Sequence, residues 1–87
     1  MKQEEKNLEA TQTEQAVLDA YFSTRQPLSG MTLGMVEERK TTLQIQDDLL
    51  PTLKIEDVVI VDYMLHNKYM LMQDDDGTPI WQMFRLR

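Results

Sequence analysis

Three consecutive aspartates followed by a glycine, residues 74–77, are the part of the sequence with the composition of a metal-binding loop. Calcium-binding loops commonly combine carboxylate ligands with a glycine at a sharp turn. The stretch lacks the alternating ligand spacing and the distal glutamate of a helix-loop-helix calcium site. An acidic turn also discourages edge-to-edge association of a hairpin. We therefore expect a solvated hairpin tip here and no bound metal.

Side chains for nucleophilic catalysis are scarce. His66 is the only histidine, and Ser23 and Ser29 are the only serines, so a Ser-His-Asp triad requires scattered residues to converge without a supporting motif. His66 is instead expected near a helix C-terminus, where positive charge is favoured. Adjacent carboxylates are common, as on the solvated faces of an acidic chain: Glu4-Glu5, Glu37-Glu38, Asp47-Asp48 and Glu56-Asp57. The sequence predicts a protein that is not an enzyme and has no cofactor.

The elements that must position these residues fit into one small domain. The chain has 87 residues, of which 41% are hydrophobic and 28% are charged, which allows one modest core. We assign residues 1–10 to a flexible, polar and acidic tail and residues 11–87 to a single domain. A domain of this size buries limited apolar area, so dimerisation is a reasonable way to cover the rest.

Charge and hydropathy restrict the partners. Nine Lys and Arg residues against fifteen Asp and Glu residues give a net charge of -6, which opposes binding to phosphate backbones. The N-terminus lacks the apolar segment of a signal peptide, and no window reaches the roughly 18 apolar residues of a membrane span. There is no cysteine for a disulfide or a cysteine-based zinc site. The sequence predicts a cytoplasmic protein with no membrane partner.

Capping signals and helical spacing predict the N-terminal elements. The segment Thr11–Glu14 has the form of a capping box, and apolar residues then recur at helical spacing, so helix 1 is predicted to run to about Arg25. Thr32 is predicted to cap a short second helix over Leu33–Lys40. The segment Thr41–Thr52 fits either an extension of that helix or a short strand, and the sequence leaves both open.

The C-terminal third predicts a helix and a hairpin. The stretch Ile55–Lys68 is interpreted as helix 3, with Thr52 as a cap, although its run of β-branched residues, Val58–Val61, also fits a buried strand. A hairpin follows, with Asp76 and Gly77 in the turn between Tyr69–Gln73 and Ile80–Leu86. The predicted fold is α+β: a small winged-helix-like domain of three helices followed by a C-terminal β-hairpin.

This order of elements and the ending Gly77–Trp81 resemble the winged helix-turn-helix superfamily over roughly residues 52–87. Tyr63 with Pro79 and Trp81 is similar to the branch that binds left-handed DNA, in which a helix tyrosine lies near a wing proline and tryptophan. That branch carries an asparagine one turn before the tyrosine, where this chain has Val59, and an accompanying lysine is missing. The resemblance therefore implies the fold and not that activity. We expect Tyr63 and Trp81 to make an aromatic core contact.

The leading functional hypothesis is a non-catalytic protein-protein interaction module of winged-helix type, either a homodimer or a subunit of a complex. Alternation along the hairpin places Met70 and Met72 on one face and Tyr69 and Leu71 on the other, and one layer of helices covers only one of these faces. The predicted partner interface consists of Met70, Met72, Trp81 and Met83.

The alternative hypothesis is a DNA-binding transcriptional regulator that uses helix 3 and the wing. Its predicted DNA contacts are Arg39, Lys40, Lys54, Lys68, Arg85 and Arg87. Helix 3, however, carries Glu56, Asp57 and Asp62, whereas a DNA-reading helix usually presents basic or amide side chains to the bases. A third hypothesis is an acidic nucleic-acid mimic that occupies a basic partner.

Overall fold

A computed structural model describes residues 10–87 of the chain. The predicted tail therefore lies outside the described residues except for Ala10, which packs against the core. The elements, in order, are α1 (Gln12–Phe22), β1 (Arg25–Gln26), a 3-10 turn (Leu28–Gly30), β2 (Met35–Lys40), α2 (Thr42–Leu49), α3 (Asp57–His66), β3 (Met70–Gln73) and β4 (Pro79–Leu86).

The strands form one antiparallel sheet with β4 at its centre. β2 pairs along one side of β4, from Lys40 opposite Trp81 to Met35 opposite Leu86. β1 and β3 pair with the two ends of β4, and because β2 occupies one side, both lie along the other. The predicted order of three helices followed by a C-terminal hairpin is therefore wrong. β1 and β2 precede α2 and α3, so strands and helices are interleaved.

The first helix begins where the sequence predicts. The Thr11 hydroxyl accepts a hydrogen bond from the Glu14 backbone N–H at 3.2 Å, and the Glu14 carboxylate accepts one from the Thr11 N–H at 3.0 Å. These reciprocal bonds confirm the predicted capping box. The helix ends at Phe22 rather than near Arg25, because Arg25 opens β1 and lies opposite Arg85 of β4.

The predicted second helix over Leu33–Lys40 is wrong, and a strand takes its place. Gly34 has φ +92°, which is outside the right-handed helical region and suits glycine. It lies in a turn closed by a hydrogen bond from the Met35 N–H to the Thr32 carbonyl at 3.3 Å. Thr32 therefore belongs to the turn that opens β2 instead of capping a helix.

The segment that the sequence left open, Thr41–Thr52, contains α2. The Thr41 hydroxyl accepts from the Gln44 N–H at 3.0 Å, and the Gln44 side-chain carbonyl accepts from the Thr41 N–H at 2.8 Å. This second capping box starts a helix immediately after β2. Ile45 and Leu49, one turn apart, face the core.

Removing this cap is expected to weaken the fold. Thr41→Ala leaves the Gln44 N–H without its side-chain acceptor and lowers the free energy of unfolding by about 1 kcal/mol. Urea denaturation followed by circular dichroism measures the change. Thr41→Ser keeps the hydroxyl and serves as the control. An equal loss in both variants would contradict a role for the hydroxyl.

The third helix and the hairpin are present. α3 covers Asp57–His66, which confirms a helix where a strand was the alternative, but Glu56 and not Thr52 precedes its first turn. In the hairpin, Gly77 has φ +88°, as the predicted glycine turn requires. Hydrogen bonds close this turn from the Asp74 N–H to the Thr78 carbonyl at 2.8 Å and from the Gly77 N–H to the Asp74 carbonyl at 2.9 Å.

The core lies between the helices and one face of the sheet. Its fully buried side chains are Leu18, Ile45, Ile55, Ile60, Met64, Trp81 and Met83. The Trp81 indole N–H donates to the Thr42 hydroxyl at 2.9 Å and thereby joins β4 to α2. Tyr63 and Trp81, expected to touch one another, are both buried, but Tyr63 stacks on Phe22 of α1 with ring centroids 5.4 Å apart.

Candidate interaction surfaces

The sheet has a second apolar face, directed away from the helices. Side chains alternate along β4, so Ile80, Phe84 and Leu86 point opposite to Trp81 and Met83. Ile80 and Phe84 are buried but do not belong to the core cluster that contains the helices. The 3-10 turn Leu28–Gly30 contacts β4, and the residues directly opposite in the other strands are further neighbours on this face.

We call this surface the outer sheet face, and its apolar members are Met35, Met70, Met72, Ile80, Phe84 and Leu86. Met72 lies opposite Ile80, Met70 opposite Gln82, and Met35 opposite Leu86. Met70 is 49% exposed and Leu86 is 63% exposed, while Met35 and Met72 are half-buried. Methionine side chains adapt their shape to a contacting surface. The exposed part of the face, Met70 and Leu86 with the half-buried Met35 and Met72, therefore has the composition of a binding surface.

Both signs of charge occur on the outer sheet face. Gln82 Nε2 donates to Glu37 Oε2 at 2.9 Å, and Arg39 Nε donates to the same oxygen at 2.8 Å. The hydrogen bond from Gln82, followed by that from Arg39, lowers the pKa of Glu37. Glu37 is therefore ionised at neutral pH beside the Arg39 cation.

The helix-facing side of β2 carries Val36 and two charged residues, Glu38 and Lys40, which belong to an ionic network. Arg25 Nε donates to Glu38 Oε1 at 2.7 Å, and Arg85 Nε lies 3.7 Å from Glu38 Oε2. Lys40 bridges Glu38 and Asp48 of α2, and the Tyr21 hydroxyl of α1 donates to Asp48 at 2.6 Å. We call these six residues, Tyr21, Arg25, Glu38, Lys40, Asp48 and Arg85, the ionic network. It ties α1 and α2 to three strands.

The pKa values of the network fit a structural role. Burial opposes ionisation of Glu38 and Asp48, but hydrogen bonds from Arg25 to Glu38 and from Lys40 to Asp48 lower the pKa of each carboxyl below its ordinary value. Burial, and then the hydrogen bond to Asp48, raises the pKa of Tyr21. The Tyr21 hydroxyl therefore stays protonated at neutral pH and acts as a donor rather than as a nucleophile.

The residues predicted to bind a protein partner fall on both faces of the sheet. Met70 and Met72 lie on the outer sheet face, whereas Trp81 and Met83 are fully buried in the core. Their positions leave only the two hairpin methionines available for contact. The sequence-based prediction missed the apolar residues of β4 on the outer sheet face, which are Ile80, Phe84 and Leu86. Both alternating sets of side chains along Ile80–Leu86 contain apolar residues, which is a pattern typical of a strand covered on both faces.

The predicted DNA contacts are dispersed. Arg39 is hydrogen-bonded to Glu37 on the outer sheet face, while Lys40 and Arg85 point to the opposite face and join the ionic network. The others are exposed in three separate segments: Lys54 before α3, Lys68 after it, and Arg87 beyond β4. The fold does not bring the six into one basic stripe.

The remaining polar candidates are hydrogen-bonded surface groups. At the hairpin tip, Asp76 Oδ1 accepts from the Thr78 hydroxyl at 2.7 Å and from the Thr78 N–H at 3.0 Å. His66 Nδ1 lies 3.3 Å from Asp62 Oδ1 near the end of α3. Within residues 10–87, no group of three or more His, Asp or Glu side chains is placed to hold a metal ion. Over the same residues, every helix is too short or too polar to cross a membrane.

Comparison of the chain with protein-family models, with curated proteins and with solved structures found no match.

Proposed function

We propose that the protein is a non-catalytic protein-protein interaction module that forms a homodimer through the outer sheet face. The observation that carries this proposal is a methionine-rich apolar sheet face on the side opposite to the three helices. Its exposed apolar members are Met70 and Leu86, with Met35 and Met72 half-buried, and exposed apolar surface is a feature of interaction sites.

Face-to-face packing of two copies is a standard way to cover such a surface. Two sheets pack about 10 Å apart, with their side chains interdigitated. A two-fold axis brings the same face of both copies together, so Met70, Met72 and Leu86 of each copy lose their exposed area at once. This additional burial of apolar area is significant for a domain of this size, whose own core is small.

Charge on this face is compatible with a second copy. Glu37 and Arg39 lie on the same face of β2, two positions apart. A two-fold arrangement can place the Arg39 of each copy beside the Glu37 of the other, which is the self-complementarity that an isologous interface requires. A phosphate backbone meets a less suitable surface here, because Arg39 already pairs with Glu37.

The winged-helix relationship and the cytoplasmic location belong to the same proposal. The relationship is supported by the succession of α3 and the β3–β4 hairpin, the half of the domain on which the resemblance rests. Winged helices serve both protein contacts and DNA binding, so this relationship alone does not select a function. Cell fractionation tests the location.

Introducing charge into the outer sheet face is expected to abolish dimerisation. We expect light scattering after size exclusion to give about twice the 10.2 kDa chain mass for the native protein. The double variant Met70→Lys with Met72→Lys should run as a monomer, with a dissociation constant raised at least about a hundredfold, because two unpaired ammonium groups would be buried in each half of the interface. Leu65→Lys, on the exposed side of α3, is the matched control and should remain dimeric.

Circular dichroism of each variant establishes that it is folded. A native protein that stays monomeric at high micromolar concentration would contradict the homodimer, and so would a double variant that still dimerises. Duplex DNA is added to the same samples at low salt. A complex that dissociates steeply as salt rises would support the DNA-binding alternative instead.

A further inference from the structure

α3 is apolar on two opposite sides. Ile60 and Met64 are fully buried against the core. On the other side of the helix lie Val58, Val61 and Leu65, of which Leu65 is 57% exposed. A helix that is hydrophobic all round is normally buried all round, whereas on this second side of α3 Val58 and Val61 are only partly buried where they pack against the core, and Leu65 is exposed. The outer side therefore has the composition of a contact surface.

The three outer residues form a ridge. Their spacing of i, i+3 and i+7 aligns them along about 10 Å of the helix. They border an open depression of about 270 Å³ together with Asp57 and Asp62. This is the length and spacing with which one helix commonly contacts another.

A neighbouring depression extends the ridge toward α2 and the hairpin. Its volume is about 430 Å³, and Asp57 borders it as well as the first. Leu43 of α2, which is 63% exposed, and Pro79 at the start of β4 contribute apolar surface to it. We call the combined surface the α3 groove and define it by Leu43, Asp57, Val58, Val61, Asp62 and Leu65.

The charge of the groove is of one sign. Asp57 and Asp62 are its two ionisable groups, and no basic side chain borders either depression in the described part of the chain. An apolar centre with an acidic border is complementary to an apolar stripe flanked by basic side chains. It repels the phosphates of nucleic acid and of anionic membranes.

We propose that the α3 groove binds a basic amphipathic helix of a partner protein. Large aliphatic side chains of that helix pack on Val58, Val61 and Leu65, and its Lys or Arg side chains pair with Asp57 and Asp62. This inference goes beyond the proposed function, because the residues that border the groove are not part of the outer sheet face. Either surface can fail its test while the other passes.

A second copy of the chain is a poorer occupant of this groove. Two α3 helices packed antiparallel across the ridge have their two-fold axis midway between Val58 and Leu65. This geometry brings the Asp62 side chains of both copies close together, and like charges in an interface are unfavourable. A basic helix avoids this repulsion.

Synthetic peptides test the proposal directly. The first probe is a fluorescently labelled amphipathic helix with a leucine stripe flanked by lysines. The second has glutamate in place of every lysine, and the third is an oligolysine of the same length. Fluorescence anisotropy with the full chain should show binding of the first probe, with at least about tenfold weaker binding of the other two, because affinity requires both apolar anchors and opposite charge.

Three variants locate the binding surface. Leu65→Gln should weaken binding of the leucine-lysine probe about tenfold, as loss of a central apolar anchor does. Asp57→Asn with Asp62→Asn should weaken it several-fold and reduce its salt dependence. Leu50→Gln, at an exposed leucine after α2 that borders neither depression and lies off the outer sheet face, should leave it unchanged, and circular dichroism verifies the fold of each variant.

Several results would overturn the proposal. These are no binding of the leucine-lysine probe, equal binding of its glutamate counterpart, or an unchanged affinity in Leu65→Gln. Equal binding of oligolysine would show recognition of charge alone and would support the acidic-mimic hypothesis. Loss of probe binding in Leu50→Gln would place the site outside the α3 groove.

Discussion

Trp81→Ala is expected to lower the free energy of unfolding by about 3–5 kcal/mol. Trp81 is the largest fully buried side chain of the described residues. It lies in the central strand and holds the Thr42 hydroxyl of α2 through its indole N–H. Since domains are typically stable by only about 5–15 kcal/mol, a large fraction of the variant should be unfolded at moderate temperature.

Trp81→Phe is the control for this experiment. Phenylalanine retains much of the apolar contact but cannot donate to Thr42, so its loss should be smaller, about 1–3 kcal/mol. Far-ultraviolet circular dichroism during urea denaturation measures both variants, because the only tryptophan is removed. A loss below about 1 kcal/mol in Trp81→Ala would indicate that Trp81 lies at the surface, as the sequence-based interface prediction placed it.

Glu38→Gln is expected to lower the free energy of unfolding by about 2–3 kcal/mol at neutral pH. The carboxylate has only 16% of its side chain exposed and faces Arg25, Lys40 and Arg85. An amide cannot balance the charge of the partly buried Arg25 guanidinium, and removing one partner of a buried pair is costly. Glu56→Gln, at an exposed position, is the matched control and should have little effect.

The pKa of Glu38 predicts how this loss depends on pH. The folded state holds the pKa of Glu38 below its ordinary value of 4.5. A depressed pKa stabilises the folded state above the unfolded pKa, and that stability disappears as pH falls through the folded pKa. The difference between the native protein and Glu38→Gln should therefore be largest at neutral pH and shrink below about pH 4.5. A difference that is constant down to pH 2 would contradict an electrostatic origin.

Local signals in the sequence explain which elements could be predicted. The capping box of α1 can be recognised directly from the sequence. α3 is predicted by its apolar spacing, and the hairpin is predicted by the Asp76-Gly77 turn. The same signal was present for α2, because Thr41 and Gln44 have the spacing of Thr11 and Glu14. This second capping box was overlooked because Leu33–Lys40 was interpreted as a helix that could continue through Thr41.

β2 could not be predicted from its own residues. Its helix-facing side chains include Glu38 and Lys40, which are satisfied by Arg25 and Asp48 from distant parts of the chain. The strand therefore lacks the alternation of apolar and polar residues that identifies a half-buried strand. Only the tertiary structure supplies the partners that make a charged strand acceptable in this position.

The interface prediction was limited by a similar problem. Alternation along the hairpin correctly separated Met70 and Met72 from Leu71, which lies opposite Trp81. It could not tell which face of β4 the helices cover, because Trp81 and Met83 in one register are as apolar as Ile80 and Phe84 in the other. Which face of β4 the helices cover depends on the direction in which the chain passes from α3 into the hairpin.

The central position of β4 determines the order in which the protein can fold as it is synthesised. β1, β2 and β3 each pair with β4, and all three precede it in the chain. A ribosome therefore releases three strands before their shared partner, residues 79–86, has been made. Until then the helices can form locally, but the sheet cannot close, since its contacts are non-local. A nascent chain that stalls before Pro79 should expose unpaired strands to chaperones and to aggregation.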